Sequence, residues 1–311
     1  MDTIITMPGH LITIEQAGIE RCTAIIEWAR RFRNRDAVPS QPPGTVALAF
    51  FEPSTRTRMS FEVAAAMLGA RTVGFTTSGS SIEKGESFED TIATIEALGA
   101  EAIVLRHSAS DAAERAAAIA TRAVIINAGD GMHQHPTQAL LDSMTLLDTF
   151  GTLEKRRIAF IGDVLHSRVF RSGSALFRML GAEIGVCAPP LLRSGHLPSD
   201  MVELSDARAA LKWADAVVVL RLQRERMQSG LVPSLADYRQ RWAVRIADVE
   251  ENSCYVLHPG PVNAGVELDA AVVDHARSLI RRQVTNGVFV RMAVLVEALG
   301  IPVVQPSSVV A

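Results

Sequence analysis

The 311-residue chain has only three cysteines, Cys22, Cys187 and Cys254, far apart, odd in number and without a C-x-x-C pair. That excludes a disulfide framework of the secreted kind and a thiolate metal centre, and it suits a reducing compartment. No apolar stretch approaches the roughly 18 residues of a membrane-spanning helix. The opening "MDTIITMPGHLITIEQ" has no basic segment followed by an apolar one, so no secretory signal is expected. A soluble, cytoplasmic protein with no membrane partner is the expectation. Positive charge is not in excess: the formal net charge is −3, which argues against a nucleic-acid binder but leaves room for a local basic pocket. G-x-x-x-x-G-K-[ST], G-x-S-x-G and G-x-G-x-x-G are all absent, which disfavours a nucleotide enzyme or a serine hydrolase. "FIGDVLHSR" resembles the first turn of a nucleotide-binding unit but lacks its glycines.

What is present is apolar. Hydrophobic residues make up 48% of the chain and charged residues 21%, enough to bury a large core in two ordinary domains. Residues 45–51, 71–75, 102–106, 123–128, 157–163, 183–188, 216–221 and 255–260 read as strands. Most are apolar throughout rather than alternating, as in parallel strands covered on both faces. Helical patterns such as "SFEDTIATIEALGA" and "RSGSALFRMLGA" fill the gaps, and their Gly-Ala endings read as helix stops. The predicted class is α/β, with two doubly wound parallel-sheet domains of similar size. Residues 1–150 would form the first and 151–284 the second, and a C-terminal helix near 285–305 would pack back on the first. Long amphipathic helices over 14–33 and 268–299 would link them. Residues 189–200 and 223–242 read as loops.

The polar clusters fall where those strands end, the place where open α/β sheets bind ligands. "STRTR", residues 54–58, follows the first strand and begins a helix. Helix-start N–H groups attract anions, hydroxyls add neutral donors, and Arg56 adds a bidentate charged one. The plain alternative is an N-cap with solvated arginines; two arginines beside a buried strand end favour the anion cradle. His135 opens another helix, with Pro136 at a favoured first-turn position and Gln138 on the same face. A metal site at His133 and His135 is disfavoured, because no third ligand pattern supports it.

"FFEPSTRTRMSFE", "SSIEKGESFEDT", "VLRH", "NAGDGMHQHPTQALLD", "GDVLHSRVFRS", "RLQRER" and "HPGPVN" together resemble the catalytic chains of the aspartate carbamoyltransferase family, in family order over essentially the whole chain. His135-Pro136-Thr137-Gln138 and His258-Pro259-Gly260-Pro261 match the aspartate branch rather than the ornithine branch. The resemblance implies transfer of a carbamoyl group from carbamoyl phosphate to L-aspartate, giving N-carbamoyl-L-aspartate and phosphate in pyrimidine biosynthesis. It implies that Ser54, Thr55, Arg56 and Thr57 hold phosphate. Thr57, Arg106 and His135 would stabilise the carbonyl oxygen. Gln138 and the carbonyls of Gly260 and Pro261 would contact the carbamoyl nitrogen.

By the same resemblance Lys84, Arg168, Arg221 and Gln223 bind aspartate, and Lys84 joins Arg56, Thr57, Arg106, His135 and Gln138 as a catalytic residue. Ser80 and Lys84 match a loop that in this family reaches into a neighbouring subunit's site, which implies a homotrimer with shared sites. The family needs no metal, cofactor or protein nucleophile. A regulatory chain or a dihydroorotase-type partner is left open. Ala264-Gly265 departs from the pattern, since many bacterial relatives carry Arg-Gly there. Two rivals follow: a transcarbamoylase with a different amine acceptor, and an inactive homologue serving as an assembly subunit.

Overall fold

The computed structural model describes residues 9–75, 85–193, 197–222 and 234–306. In chain order it has α1 (Ile14–Asn34), β1 (Val38–Pro39), β2 (Thr45–Phe50), α2 (Thr55–Met67), β3 (Arg71–Phe75), α3 (Phe88–Ala97), β4 (Ala102–His107), α4 (Ala112–Ile119), β5 (Val124–Asp130) and α5 (Pro136–Phe150). There follow β6 (Arg157–Ile161), α6 (Arg168–Met179), β7 (Glu183–Cys187), β8 (Met201–Glu203), α7 (Ala207–Trp213) and β9 (Ala216–Val219). The chain closes with α8 (Leu235–Trp242), α9 (Ile246–Glu250), β10 (Tyr255–Leu257), α10 (Ala270–Val273), α11 (Ile280–Ala298) and β11 (Val303–Val304). It divides into two compact units, Met1–Leu141 with Thr285–Ala311, and Asp142–Val284.

The first unit has a four-stranded sheet in the order β3-β2-β4-β5, parallel throughout. Ala47, Ala49, Ile103, Leu105 and Ile125 pack on Ile92 of α3 and on Ala112, Ala113 and Ala116 of α4. These small alanines let helix and sheet approach closely. A short antiparallel ladder pairs β1 with β11. The second unit has a five-stranded parallel sheet in the order β10-β9-β6-β7-β8. Its central strands β6 and β9 are covered on both faces. Ala159, Ile161, Val217 and Val219 join one cluster with Leu211 and Trp242, while Ile158, Phe160, Ala216 and Val218 join another with Phe177 and Leu279. Burying each large side chain of this kind is worth roughly 1.5–3 kcal/mol. The uninterrupted apolar runs of the sequence are therefore a consequence of two-sided burial.

One expected helix is corrected. Residues 268–299 form the four-residue α10 and then α11, with a break between. In the break, Arg277 O accepts from Val256 N–H at 2.9 Å and Leu279 N–H donates to Val256 O at 2.8 Å, so these backbone groups serve β10 instead of a helix. Residues 235–242, expected as loop, form α8, in which the Ser234 side chain accepts from Asp237 N–H. β1, β8 and β11, two or three residues each, carried no readable signal.

Glu96 ties α3 to the segment entering β5. Its buried carboxylate accepts from the N–H groups of Ala123 (2.7 Å), Arg122 (2.6 Å) and Thr121 (2.9 Å) and from the Thr121 hydroxyl (2.9 Å). These bonds, the Ala123 N–H first, hold its pKa at about 2 against an ordinary 4.5. A lowered carboxylate pKa stabilises the fold fully above the ordinary value, and that contribution fades as pH falls through the folded value. Glu96→Gln should therefore lower stability at neutral pH and flatten the loss between about pH 4.5 and 2 seen by chemical denaturation of the wild type. Parallel curves for the two proteins would refute this role.

Candidate active site

Each parallel sheet reverses its winding direction once, between β2 and β4 in the first unit and between β6 and β9 in the second. Ligands of open α/β sheets bind outside the carboxyl ends at such points.

In the first unit β2 leads to Ser54, the N-cap of α2, whose backbone is extended (φ −160°, ψ 92°) and whose hydroxyl makes no capping bond. That hydroxyl and the first-turn N–H groups remain to receive an anion. Thr55 and Arg56 are exposed, and Thr57 is buried. Arg58 instead bonds Glu62 one turn on, at 3.0 Å. Arg106 lies at the end of β4, in register with Phe50. Its guanidinium meets Glu52 Oε1 at 2.6 Å and donates to Ala128 O at 3.0 Å, so β2 and β5 fix its plane from two sides. Next to it, His107 Nδ1 accepts from Ala109 N–H at 2.8 Å, and the ring packs against Phe51 and Phe88. Burial lowers the pKa of this imidazole, so it braces the strand end as a neutral ring.

β5 ends in Asp130, only 1% exposed. Asp130 Oδ1 accepts from Asn127 Nδ2 (2.9 Å) and Gln134 N–H (3.0 Å), while Oδ2 lies 3.2 Å from His133 Nδ1. This buried carboxylate shapes the turn that delivers His135. His135 O then accepts from Gln138 N–H and Ala139 N–H, and α5 begins at Pro136. The side chains of His135 and Gln138 are both buried.

In the second unit the end of β6 turns at Gly162 (φ 118°). A Cβ there would stand 2.9 Å from Tyr238 Oη and 3.1 Å from Leu220 O, so only glycine fits between β9 and α8. Asp163, 1% exposed, contacts His166 Nδ1 at 2.9 and 3.1 Å and accepts from His166 N–H at 3.1 Å. That turn sets Ser167 as the N-cap of α6, and Arg168 follows as a buried first helical residue. Arg221 lies two residues beyond β9. The loop after β10 is built on a fully buried pair. His258 Nδ1 accepts from Gly260 N–H (2.8 Å), which leaves Nε2–H to face Glu267 Oε1 at 3.3 Å. Glu267 also accepts from Asn263 N–H (2.7 Å) and Asn263 Nδ2 (3.1 Å), so Gly260 and Pro261 sit on a braced turn. At the departure Ala264-Gly265, Arg239 of α8 donates to Gly265 O (2.6 Å) and pairs with Asp269 (2.8 Å), so a guanidinium still holds this loop.

The structure thus gathers Ser54, Thr55, Arg56, Thr57, Arg106, His135 and Gln138 on the ends of three adjacent strands, β2, β4 and β5. It places Arg168, Arg221, Gly260 and Pro261 after β6, β9 and β10, which are also adjacent. Ser80, Lys84 and Gln223 lie outside the described residues. Sequence reasoning missed Glu52, Asp130, Asp163, His166 and Glu267. Each lies inside or beside a quoted motif, but its partner is visible only in three dimensions. Among the described residues no group of three or more His, Cys, Asp or Glu side chains could hold a metal ion, and no helix is long and apolar enough to cross a membrane.

Helix-start anion donors at one switch point and two arginines at the other suit an enzyme that acts on anionic substrates. Residues 9–148 match "Aspartate/ornithine carbamoyltransferase, carbamoyl-P binding domain", and residues 154–298 match its "Asp/Orn binding domain". The chain belongs to the aspartate/ornithine carbamoyltransferase family. An aspartate carbamoyltransferase catalytic subunit from Nocardioides sp. is 48% identical over 94% of this chain and 95% of its own. The corresponding subunit from Thermus thermophilus is 49% identical over 93% and 97%. The Trypanosoma cruzi aspartate transcarbamoylase, solved with carbamoyl aspartate and phosphate, superposes with a TM-score of 0.84 at 28% identity, covering 95% of this chain and 97% of that one. An ornithine carbamoyltransferase from Pyrococcus furiosus, 24% identical with a TM-score of 0.81 over 96% of this chain and 99% of its own, shares the fold.

Proposed function

We propose that the chain transfers the carbamoyl group of carbamoyl phosphate to the amine of L-aspartate, releasing phosphate, as the catalytic subunit of a cytoplasmic aspartate carbamoyltransferase in pyrimidine biosynthesis. The observation that carries the choice of acceptor is the pair Arg168 and Arg221 at the second sheet's switch point. A dicarboxylate needs cations there, whereas a cationic amine such as ornithine would need carboxylates. Asp163, the carboxylate between β6 and Arg168, is committed to His166 and is no acceptor site. The inactive-homologue reading finds no support in the residues, because Arg56, Arg106, His135 and Arg168 are all present.

In this reading Ser54, Thr55, Arg56 and Thr57 hold the phosphate together with Ser80 from a neighbouring subunit, whose Lys84 reaches the aspartate. The aspartate amine attacks the carbamoyl carbon, the carbonyl oxygen takes negative charge, and the carbon–oxygen bond to phosphate breaks. The departing phosphate accepts the amine proton. Thr57, Arg106 and His135 face the oxyanion, and Gln138 with the Gly260 and Pro261 carbonyls orients the carbamoyl nitrogen. Gln223 joins the two arginines on aspartate. The chemistry calls for no covalent intermediate. Burial pushes all three thiols up to about 12, so none is a thiolate nucleophile at neutral pH. These free, buried cysteines also support residence in a reducing cytoplasm.

A homotrimer belongs to the same reading. Met59, Val63 and Met67 recur every four residues on α2, and with Val73 on β3 they leave large apolar side chains about half exposed. Such a stripe on a soluble chain marks an interface, and a second copy is the occupant proposed. Met59→Glu combined with Val63→Glu should give monomers by analytical ultracentrifugation and abolish activity. A fully active monomer would contradict shared sites. Carbamoylation of aspartate by the purified protein, compared with other amines, tests the reaction itself.

A further inference from the structure

The second unit has a polar pocket of about 320 Å³ lined by Asp206, Arg208, Gln240, Arg241, Arg245 and Asp248, with Ala207 and Ala243. It lies among α7, α8 and α9, and its lining shares no residue with the strand-end clusters just described. A volume near 300 Å³ is the lower end for small-molecule sites. Its acids are already committed. Asp248, 2% exposed, receives Arg208 Nε on one oxygen and Arg245 Nε on the other, both at 2.8 Å. Asp206 caps α7 by accepting from Ala209 N–H at 2.9 Å and also accepts from the Ser205 hydroxyl. The N–H bond from Ala209, first among the causes, holds its carboxyl below the usual range.

Its cations are not so committed. Arg208 and Arg245 each spend only the Nε edge on Asp248, and neither guanidinium makes another hydrogen bond among the described residues. Arg241 lies over the Trp242 ring at 5.1 Å and forms no ion pair among the described residues. A buried carboxylate therefore orients two guanidiniums whose Nη donors remain available, with a third arginine and Gln240 in the same lining. Planar forks with open donors match tetrahedral oxyanions.

We propose that this pocket is a second anion site, for a phosphate or a phosphomonoester, distinct from the carbamoyl-transfer site. None of its lining residues is among those assigned to the reaction. The test is calorimetry with inorganic phosphate on full-length enzyme saturated with N-phosphonacetyl-L-aspartate, which occupies the other anion-binding residues. A separate binding event at about 1 mM or tighter is expected, weakening as salt rises. Arg241→Glu, which leaves both partners of Asp248 in place, should abolish that event while the thermal midpoint and aspartate carbamoylation stay unchanged. Arg208→Lys should weaken it. Glycerol phosphate in a parallel titration separates the sources: tighter binding than inorganic phosphate assigns an ester, and weaker binding assigns the free ion. No event in the blocked wild type, or an equal event in Arg241→Glu, would overturn the proposal.

Discussion

His135→Ala is expected to lower kcat by about 10²-fold or more while phosphate-type ligands still bind. His135 is buried at the start of α5, and the Asp130 turn delivers it to the carboxyl end of β5, beside the strand that carries Arg106. In the proposed reaction a donor placed there acts on charge that exists only once the amine has attacked. Its removal should spare the ground-state phosphate contacts proposed for α2. A preorganised donor of this kind contributes roughly 3–4 kcal/mol to the barrier. Steady-state kinetics with a separate phosphate-binding measurement checks it. Unchanged kcat would remove His135 from the reaction, and loss of phosphate binding would move it into the cradle.

Arg221→Ala should raise the apparent KM for aspartate and lower kcat together, by roughly 30-fold or more, because one substrate carboxylate would be left unpaired at a cost of about 2–5 kcal/mol. Arg221 follows β9, and the carbonyl of the next residue, Leu222, accepts from Asn263 Nδ2 at 3.5 Å. Truncating the side chain leaves that backbone anchor intact. Carbamoyl phosphate binding, the task of the first unit, should change little. Arg221→Lys should recover part of the activity at best, since an ammonium cannot make the bidentate contact. Untouched aspartate kinetics in Arg221→Ala would set aside its role.

The strands were legible because two-sided burial writes itself as unbroken apolar runs, as in "TVALAFF" and "RIAFI". Three helix ends were legible for a similar local reason: Gly69, Gly99 and Gly181 follow α2, α3 and α6 with positive φ. Strand order was not legible, so the convergence of Ser54 with Arg106, and of Arg168 with Arg221, could not be derived from spacing. The carboxylates that aim the site were hidden for the same reason. Glu52 and Arg106 are 54 positions apart in sequence yet meet at 2.6 Å, and local patterning carries no trace of such a pair. The broken helix over 268–299 failed as a reading because its competitor for backbone hydrogen bonds, β10, lies some twenty residues upstream.

The most direct measurement is carbamoyl transfer from carbamoyl phosphate by purified wild-type protein, with aspartate, ornithine and other amines offered in parallel at equal concentration and product read by mass. The two switch-point arginines predict N-carbamoyl-L-aspartate as the dominant product, with one phosphate released per carbamoyl group moved. Faster carbamoylation of ornithine or another cationic amine would contradict the aspartate assignment.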